Sequence, residues 1–209
     1  MNTIYIATSN AGKLRDFGAA AELEGMRVEA LPGLKDLPEV EEDGETFSAN
    51  ARKKAEHYSA LFSGKLLLAD DSGLEVEALG GAPGVRSARY AASSSTTGNA
   101  DDNANNQKLL RELQKTGTEL PRARFVAVIA AAFDGETVAE FAGEVQGSIS
   151  ESPRGTNGFG YDPLFLVEST GKSMAELSPA EKAAVSHRGR AFRRFLEWYR
   201  GEGSRFAKL

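Results

Sequence analysis

The sequence predicts an α/β protein built on a mixed β-sheet, and three stretches carry that prediction. Residues 3–7 (TIYIA) indicate a short strand, and a helix is expected over residues 14–23. The apolar run at residues 66–69 indicates a buried strand. Asp134 and Gly135 stand between two apolar segments, where this dipeptide is a strong signal for a hairpin turn. Strands that alternate with helices favour parallel pairing and a hairpin adds an antiparallel pair, so we expect a mixed sheet.

The other elements follow from hydrophobic periodicity and from capping signals. Further strands are predicted at residues 27–31, 123–133, 137–145 and 164–167, and further helices at residues 46–62, 101–116 and 191–200. Ser178, Pro179 and Glu181 together indicate the start of one more helix, with Ser as its N-cap. We expect a single α/β domain over residues 1–200 and a C-terminal tail over residues 201–209.

Composition excludes several classes of protein. The 209 residues are 41% hydrophobic and 26% charged, as in ordinary soluble globular proteins. The absence of Cys excludes disulfides and thiolate chemistry and fits a reducing compartment, so we expect a cytoplasmic protein. No secretory signal and no run of the ~20 apolar residues that span a bilayer is found, so no membrane partner is expected. The net charge of -5 disfavours general nucleic-acid binding.

The chain is organised around two adjacent carboxylates, Asp70 and Asp71, which follow the apolar run and precede Ser72 and Gly73. Acids at the end of a buried strand belong to a cleft more often than to a core. Because two adjacent carboxylates repel, they require a cation or strong donors, and the simplest such cation is Mg²⁺. The alternative is an acidic turn exposed to water. Residues 80–90 (GGAPGVRSARY) then indicate a rigid loop that carries positive charge.

Two further stretches suit phosphate. Residues 8–13 (TSNAGK) connect a strand to a helix, an arrangement that directs N–H groups at an anion, and Lys13 adds charge. The stretch does not match a Walker P-loop, and a plain connection is an equal alternative. The helix at 46–62 places polar Asn50 and Lys54 on its apolar face. Lys54 either extends to water or meets phosphate.

A third stretch suits a flat ligand. Residues 156–163 (TNGFGYDP) place a Gly on each side of Phe159, which allows close approach of the backbone and stacking of the ring on a base. The alternative is an aromatic residue that caps the core at a turn.

Five stretches in order are similar to the inosine/xanthosine triphosphate pyrophosphatases: TSNAGK, EEDGETFSANA, LADDSGLEVEALGGAPGVRSARYA, GFGYDPLF and SHRGRA. The resemblance covers about residues 4–191. It implies an elongated mixed sheet flanked by helices, two lobes with a central substrate cleft, and a homodimer. It also implies hydrolysis of non-standard purine nucleoside triphosphates (ITP, dITP, XTP) to monophosphate and pyrophosphate, with Mg²⁺. Residues 93–105 depart from the family pattern, being longer and more polar.

The resemblance also implies residue roles. Asp71 would ligate the metal and accept the proton of the attacking water, supported by Asp70. Glu41 would be the other metal ligand, and Glu42 is the neighbour with which it could be confused. The residues expected to contact substrate are Thr8, Ser9, Asn10, Ala11, Gly12, Lys13, Asn50, Lys54, Ser72, Phe159, Gly160, Tyr161, Asp162, Lys182, His187 and Arg188.

Three alternatives remain open. A phosphatase that forms an aspartyl phosphate would use D-x-D, whereas Ser72 stands where the second Asp is needed. A nucleotide-binding module without catalysis would need the basic residues but neither Glu41 nor Asp71. A broader pyrophosphatase would also accept modified pyrimidine nucleotides.

Overall fold

The computed structural model describes residues 3–92 and 99–208. The chain divides into two compact units. Unit 1 comprises Met1–Asp71, Ala127–Glu144 and Ala183–Leu209, and unit 2 comprises Ser72–Val126 and Val145–Lys182. Residues 93–98, part of the stretch that departs from the family pattern, lie outside the described residues. Within the described ranges, no helix combines the length and the apolar character needed to cross a membrane.

The sheet is mixed, as predicted. Its strands in the described chain are β1 (Thr3–Ile6), β2 (Arg27–Ala30), β3 (Leu67–Val76), β4 (Arg122–Phe133), β5 (Glu136–Ile149) and β6 (Phe165–Val167). They form a six-stranded sheet in the order β2-β1-β3-β4-β5-β6. β1 pairs in parallel with β2 and β3, whereas β5 and β6 are antiparallel. The predicted α/β class is therefore confirmed.

The α-helices of the described chain are α1 (Ala11–Leu23), α2 (Phe47–Leu61), α3 (Asp102–Thr116), α4 (Pro179–Val185) and α5 (His187–Arg200). The predicted cap of α4 is present, since Glu181 N–H donates to Ser178 Oγ at 3.3 Å and Ser178 N–H donates to Glu181 Oε2 at 2.8 Å. The last helix was predicted to begin at residue 191. Instead Ser186 caps α5, its Oγ accepting from Gly189 N–H at 3.2 Å, so α5 begins at His187.

Two further boundaries differ from the prediction. α1 begins at Ala11, not at residue 14, because Asn10 Oδ1 accepts from Lys13 N–H at 3.0 Å and caps the helix. Lys13 therefore lies in the first helical turn. β3 continues to Val76, not to residue 69, so Asp70 and Asp71 lie inside the strand rather than beyond its end. Nearly every residue of β3 is buried, and partners distant in sequence compensate the two acids.

The predicted hairpin is present between β4 and β5. Asp134 and Gly135 have φ of 49° and 86°, and two successive residues with positive φ are typical of a type I′ turn. Asp134 Oδ1 also accepts from Gly64 N–H at 2.7 Å.

Unit 1 has a core in which the sheet packs against α1 and α5. Ile6, Leu68 and Ile129 are buried among aromatic side chains, and the rings of Phe17 and Phe192 lie 5.9 Å apart. α5 approaches β5 closely at Gly143, where a Cβ atom would lie 2.3 Å from the carbonyl oxygen of His187. This contact fixes the start of α5, which carries two predicted site residues.

The C-terminal segment, Glu202–Lys208, forms a 3₁₀ helix. Its Phe206 packs against Phe133 and Trp198, with ring centroids 5.1 Å and 6.0 Å apart. The predicted tail is therefore attached to unit 1 through an aromatic side chain.

Candidate active site

Unit 1 brings together predicted residues from α1, β3 and α5 around Asp70. Lys13 Nζ lies 3.1 Å from Asp70 Oδ2, and Arg188 Nε lies 3.7 Å from the same oxygen. Arg188 Nη1 also donates to Asp16 Oδ2 at 3.1 Å. The side chain of Asp70 is 1% exposed. A buried carboxylate thus holds two cations that are distant in sequence, which fixes their positions in unit 1.

The neighbouring Asp71 is held from α2. Asn50 Nδ2 donates to Asp71 Oδ2 at 2.9 Å, and Asn50 Oδ1 accepts from Gly44 N–H at 2.8 Å. A Cβ atom at Gly44 would lie 2.6 Å from Asn50 Oδ1, so any larger residue here would displace the Asn50 amide. The loop before α2 therefore orients Asn50 toward the predicted proton acceptor.

Lys54 lies one helical turn after Asn50 and pairs with the acidic loop. Its Nζ lies 3.0 Å from Glu42 Oε2. Lys54 is buried, so the interpretation in which its ammonium extends to water is wrong. Of the two adjacent acids, Glu42 is half-buried in this pair, whereas Glu41 is exposed.

The two adjacent acids have pKa values shifted in opposite directions. Burial alone would raise the pKa of Asp70, but Lys13, Arg188 and Lys54 outweigh it and hold that pKa below its usual range. Burial raises the pKa of Asp71, against the opposing effect of Lys54 and Lys13. Neighbouring carboxyls with separated pKa values are typical of acid–base sites, where one stays ionised and the other exchanges a proton. Asp71 is the group suited to exchange a proton.

The pKa values of Lys13 and Lys54 are also shifted in opposite directions. Burial lowers the pKa of Lys13 despite the nearby Asp70. For Lys54 burial acts in the same direction but is outweighed by Glu42, Asp71 and Asp70, which raise its pKa. Lys54 is thus a firmly protonated cation beside both Glu42 and Asp71.

Unit 2 contains a second cluster of predicted residues around Asp162. Asp162 Oδ2 accepts from Phe159 N–H at 2.9 Å and from Lys182 Nζ at 2.7 Å. Lys182 Nζ lies 5.1 Å from the centroid of the Phe159 ring, a cation–π distance. Gly158 has φ of +82°, and a Cβ atom there would lie 2.0 Å from Asp162 Oδ2. The turn is therefore closed by Asp162 and permitted by glycine.

Tyr161 anchors the same turn to the segment after β3. Its hydroxyl donates to the carbonyl oxygen of Ser87 at 2.9 Å, and Ser87 Oγ accepts from Leu74 N–H at 2.9 Å. Burial, with smaller contributions from Tyr90 and Asp102, raises the pKa of Tyr161, so its hydroxyl remains a donor. Tyr161 is buried and Phe159 half-buried, which leaves Phe159 as the ring available for stacking.

Comparison with known proteins identifies the family of this chain. The sequence profile of the Ham1 family matches residues 4–198. The chain belongs to the Ham1 family. It is 50% identical over 191 residues to a dITP/XTP pyrophosphatase of Geobacter sulfurreducens, covering 91% of this chain and 93% of the relative. It is 47% identical over 194 residues to a dITP/XTP pyrophosphatase of Bacillus licheniformis, covering 93% of this chain and 96% of that relative.

Solved structures support the same assignment. The Staphylococcus aureus Ham1 protein superposes with a TM-score of 0.77 at 42% identity, covering 96% of this chain and 99% of that one. The family resemblance predicted from the five motifs is therefore confirmed.

The remaining predicted residues of this Ham1 chain differ in exposure and in the elements that carry them. Thr8 Oγ1 accepts from Asn10 N–H at 3.2 Å, which shapes the turn before α1. Ser9 and Ala11 are exposed and Gly12 is buried. Ser72 and Gly160 are half-buried, and His187 is buried at the first position of α5.

Several residues that contact the predicted ones were not themselves predicted from the sequence. Asp16 binds Arg188, and its position three residues after Lys13 on α1 places both on one helical face. Glu42, considered only as a neighbour of Glu41, pairs with Lys54. Asp102 and Asn106, from the polar start of α3, bind Gly160 in unit 2.

A divalent metal at this site would take few of its ligands from the protein. Among the described residues no group of three or more His, Cys, Asp or Glu is arranged to hold an ion. Mg²⁺ is commonly held by one or two carboxylates together with substrate phosphates, so it does not need such a group. Asp71 and Glu42 both lie beside Lys54 and are hard oxygen donors, which fits that mode of binding.

Proposed function

We propose that this Ham1-family chain hydrolyses the non-standard purine nucleoside triphosphates ITP, dITP and XTP to the monophosphate and pyrophosphate. The observation that carries the proposal is the pair Asp70 and Asp71, set among Lys13, Lys54 and Arg188 in unit 1. The names of the curated relatives, dITP/XTP pyrophosphatases, support this substrate class.

The cations of unit 1 neutralise the triphosphate. Water attacks a polyphosphate slowly because the incoming oxygen meets negative charge, so positioned cations contribute directly to the rate. Lys13, held by Asp70 in the first turn of α1, contributes charge beside the N–H groups of residues 8–12. Lys54 and Arg188 contribute the remaining positive charge.

Asp71 accepts the proton of the attacking water. Its raised pKa suits proton exchange, and Asn50 fixes the orientation of the carboxyl through Oδ2. Asp70 stays ionised and holds Lys13 and Arg188 in place. Asp71 and either Glu42 or Glu41 would hold Mg²⁺, which when bound would supply Lewis acidity and lower the pKa of the attacking water. The resemblance favours Glu41 for that role, whereas the observed pair with Lys54 favours Glu42.

The cluster in unit 2 recognises the base. Phe159 stacks on the purine, and Lys182 and Asp162 set the polar edge beside it. A 6-oxo purine presents an acceptor at C6 where adenine presents a donor, so a hydrogen-bond donor that faces this edge of the base favours the 6-oxo purine. An unmet buried donor costs about 1–3 kcal/mol, roughly tenfold to a hundredfold in preference.

The test is product analysis with ITP, XTP, GTP and ATP, with and without Mg²⁺, measuring pyrophosphate and orthophosphate separately. We expect Mg²⁺-dependent pyrophosphate release from ITP and XTP and much slower release from GTP and ATP. Orthophosphate as the direct product would favour the phosphatase alternative, and binding without turnover would favour the binding module.

We further propose a homodimer that acts in the cytoplasm, on the grounds of the family resemblance and of a substrate drawn from the nucleotide pool. Light scattering coupled to size-exclusion chromatography tests the dimer, since a monomeric mass would contradict it.

A further inference from the structure

The first two turns of α3 hold the aromatic turn, defined as residues 158–162, at its central peptide. Asp102 Oδ2 accepts from Gly160 N–H at 2.7 Å. Asn106 Nδ2 donates to the carbonyl oxygen of Gly160 at 3.0 Å. Residues four apart on a helix lie on one face, so a single face of α3 binds both the N–H and the C=O group of one residue.

α3 is itself firmly attached within unit 2. Asn105 Oδ1 accepts from Ala91 N–H at 2.7 Å, and Asn105 Nδ2 donates to the carbonyl oxygen of Ala88 at 3.2 Å. Leu109 and Leu113 are buried on the same helix. The helix therefore provides a fixed support for the groups that bind Gly160.

The aromatic turn depends on external support because its own backbone is permissive. Gly158 and Gly160 both have positive φ, and Phe159 lies between them. Asp162 closes the turn from within through Phe159 N–H, whereas Asp102 and Asn106 bind it from outside. Without the outer contacts, the glycines would allow the Phe159 ring to take up other orientations.

Asn106 contributes more to the position of the aromatic turn than to the stability of unit 2. Its Nδ2 binds Gly160, but its Oδ1 is buried and accepts from no described residue. A buried acceptor without a partner is unfavourable, so an apolar side chain of similar size would suit stability as well. The benefit of an amide at this position is the single donor that it presents to Gly160.

We infer that Asp102 and Asn106 are positioning residues that set the orientation of the Phe159 ring and thereby the selectivity for the purine base. The inference rests on the proposed base contact of Phe159. It assigns a function to the polar start of α3, where the sequence departs from the family pattern.

The test compares ITP with ribose 5′-triphosphate, which has the same phosphates and sugar but no base. Asp102→Ala and Asn106→Leu should each raise KM for ITP about three- to tenfold with kcat nearly unchanged. Neither should alter the kinetics with ribose 5′-triphosphate. Asp102→Asn keeps a side-chain acceptor and should restore most of the KM. Asn103→Ala, exposed on the same helical turn, is the matched control.

Equal loss with both substrates, or a lowered melting temperature with unchanged KM, would overturn the positioning role. Phe159→Ala, measured with the same two substrates, distinguishes failure of the positioning role from failure of the proposed base contact. If Phe159→Ala raises KM for ITP and the α3 variants do not, the inference alone is overturned. If Phe159→Ala leaves KM unchanged, the proposed base contact is wrong and the inference fails with it.

Discussion

Replacement of Asp71 by Asn separates catalysis from folding more clearly than any other substitution in unit 1. The amide keeps the shape of the side chain. It also keeps an oxygen that can accept the hydrogen bond which Asn50 Nδ2 donates to Asp71 Oδ2 at 2.9 Å in the wild type. It removes the proton acceptor and one metal-binding charge. Loss of a general base typically lowers turnover about 10²–10⁴-fold, so kcat for ITP should fall within that range. Nucleotide binding should be largely retained, as measured by isothermal titration.

The same substitution should not destabilise the protein. Burial raises the pKa of Asp71, which means that its ionised carboxylate is less stable in the folded protein than in the unfolded chain. In the presence of a chelator, Asp71→Asn should melt at the same temperature as the wild type or a few degrees higher. For a chain of this size, each 1 kcal/mol gained in the free energy of unfolding raises the melting temperature by about 2–4 °C.

The pH dependence follows from the sign of that shift. A carboxyl whose folded pKa is raised opposes folding above that pKa, and the cost disappears as the pH falls through it toward the ordinary value of 3.8. The difference in melting temperature between variant and wild type should therefore shrink on acidification, as followed by calorimetry.

The control is Asp43→Asn, which removes an exposed acid of the loop before α2 that pairs with Lys53 and should leave turnover unchanged. Turnover of Asp71→Asn within threefold of the wild type would refute the assignment of Asp71 as base. A large fall in the melting temperature of Asp71→Asn would refute the claim that the buried charge of Asp71 destabilises the fold.

Four further substitutions test the surroundings of Asp71. Lys54→Met should lower kcat/KM for ITP about 10²-fold, as removal of a charge-stabilising donor commonly does, and a loss below threefold would contradict its role. Glu42→Gln should raise the Mg²⁺ concentration needed for half-maximal activity about tenfold, whereas Glu41→Gln should leave it close to the wild-type value. A larger effect of Glu41→Gln would assign the metal to Glu41. Gly44→Ala places a Cβ atom 2.6 Å from Asn50 Oδ1 and should lower kcat about tenfold by displacing Asn50, whereas unchanged kcat would show that Asn50 is not needed.

Local signals in the sequence predicted much of the fold. Asp134 and Gly135 suit a turn that needs two positive φ angles, and the structure has that turn. The apolar face of α2 follows the helical period, so the position of Asn50 and Lys54 on that face was predictable. Ser178 and Glu181 cap α4 as their spacing requires. These features depend on residues within one or two turns of each other.

Features that depend on distant partners were not predictable. β3 runs through Asp70 and Asp71 because Lys13, 57 residues before Asp70, and Arg188 compensate the charge. The choice between Glu41 and Glu42 as partner of Lys54 is set by a loop without periodic structure. Residue type and spacing carry no information on such contacts.

Hydrolysis of ITP in ¹⁸O-labelled water tests the central claim most directly. If water attacks the α-phosphorus, a single turnover with Mg²⁺ places one labelled oxygen in the monophosphate and leaves the pyrophosphate unlabelled. Label in the pyrophosphate, or release of a diphosphate with labelled orthophosphate, would contradict the account.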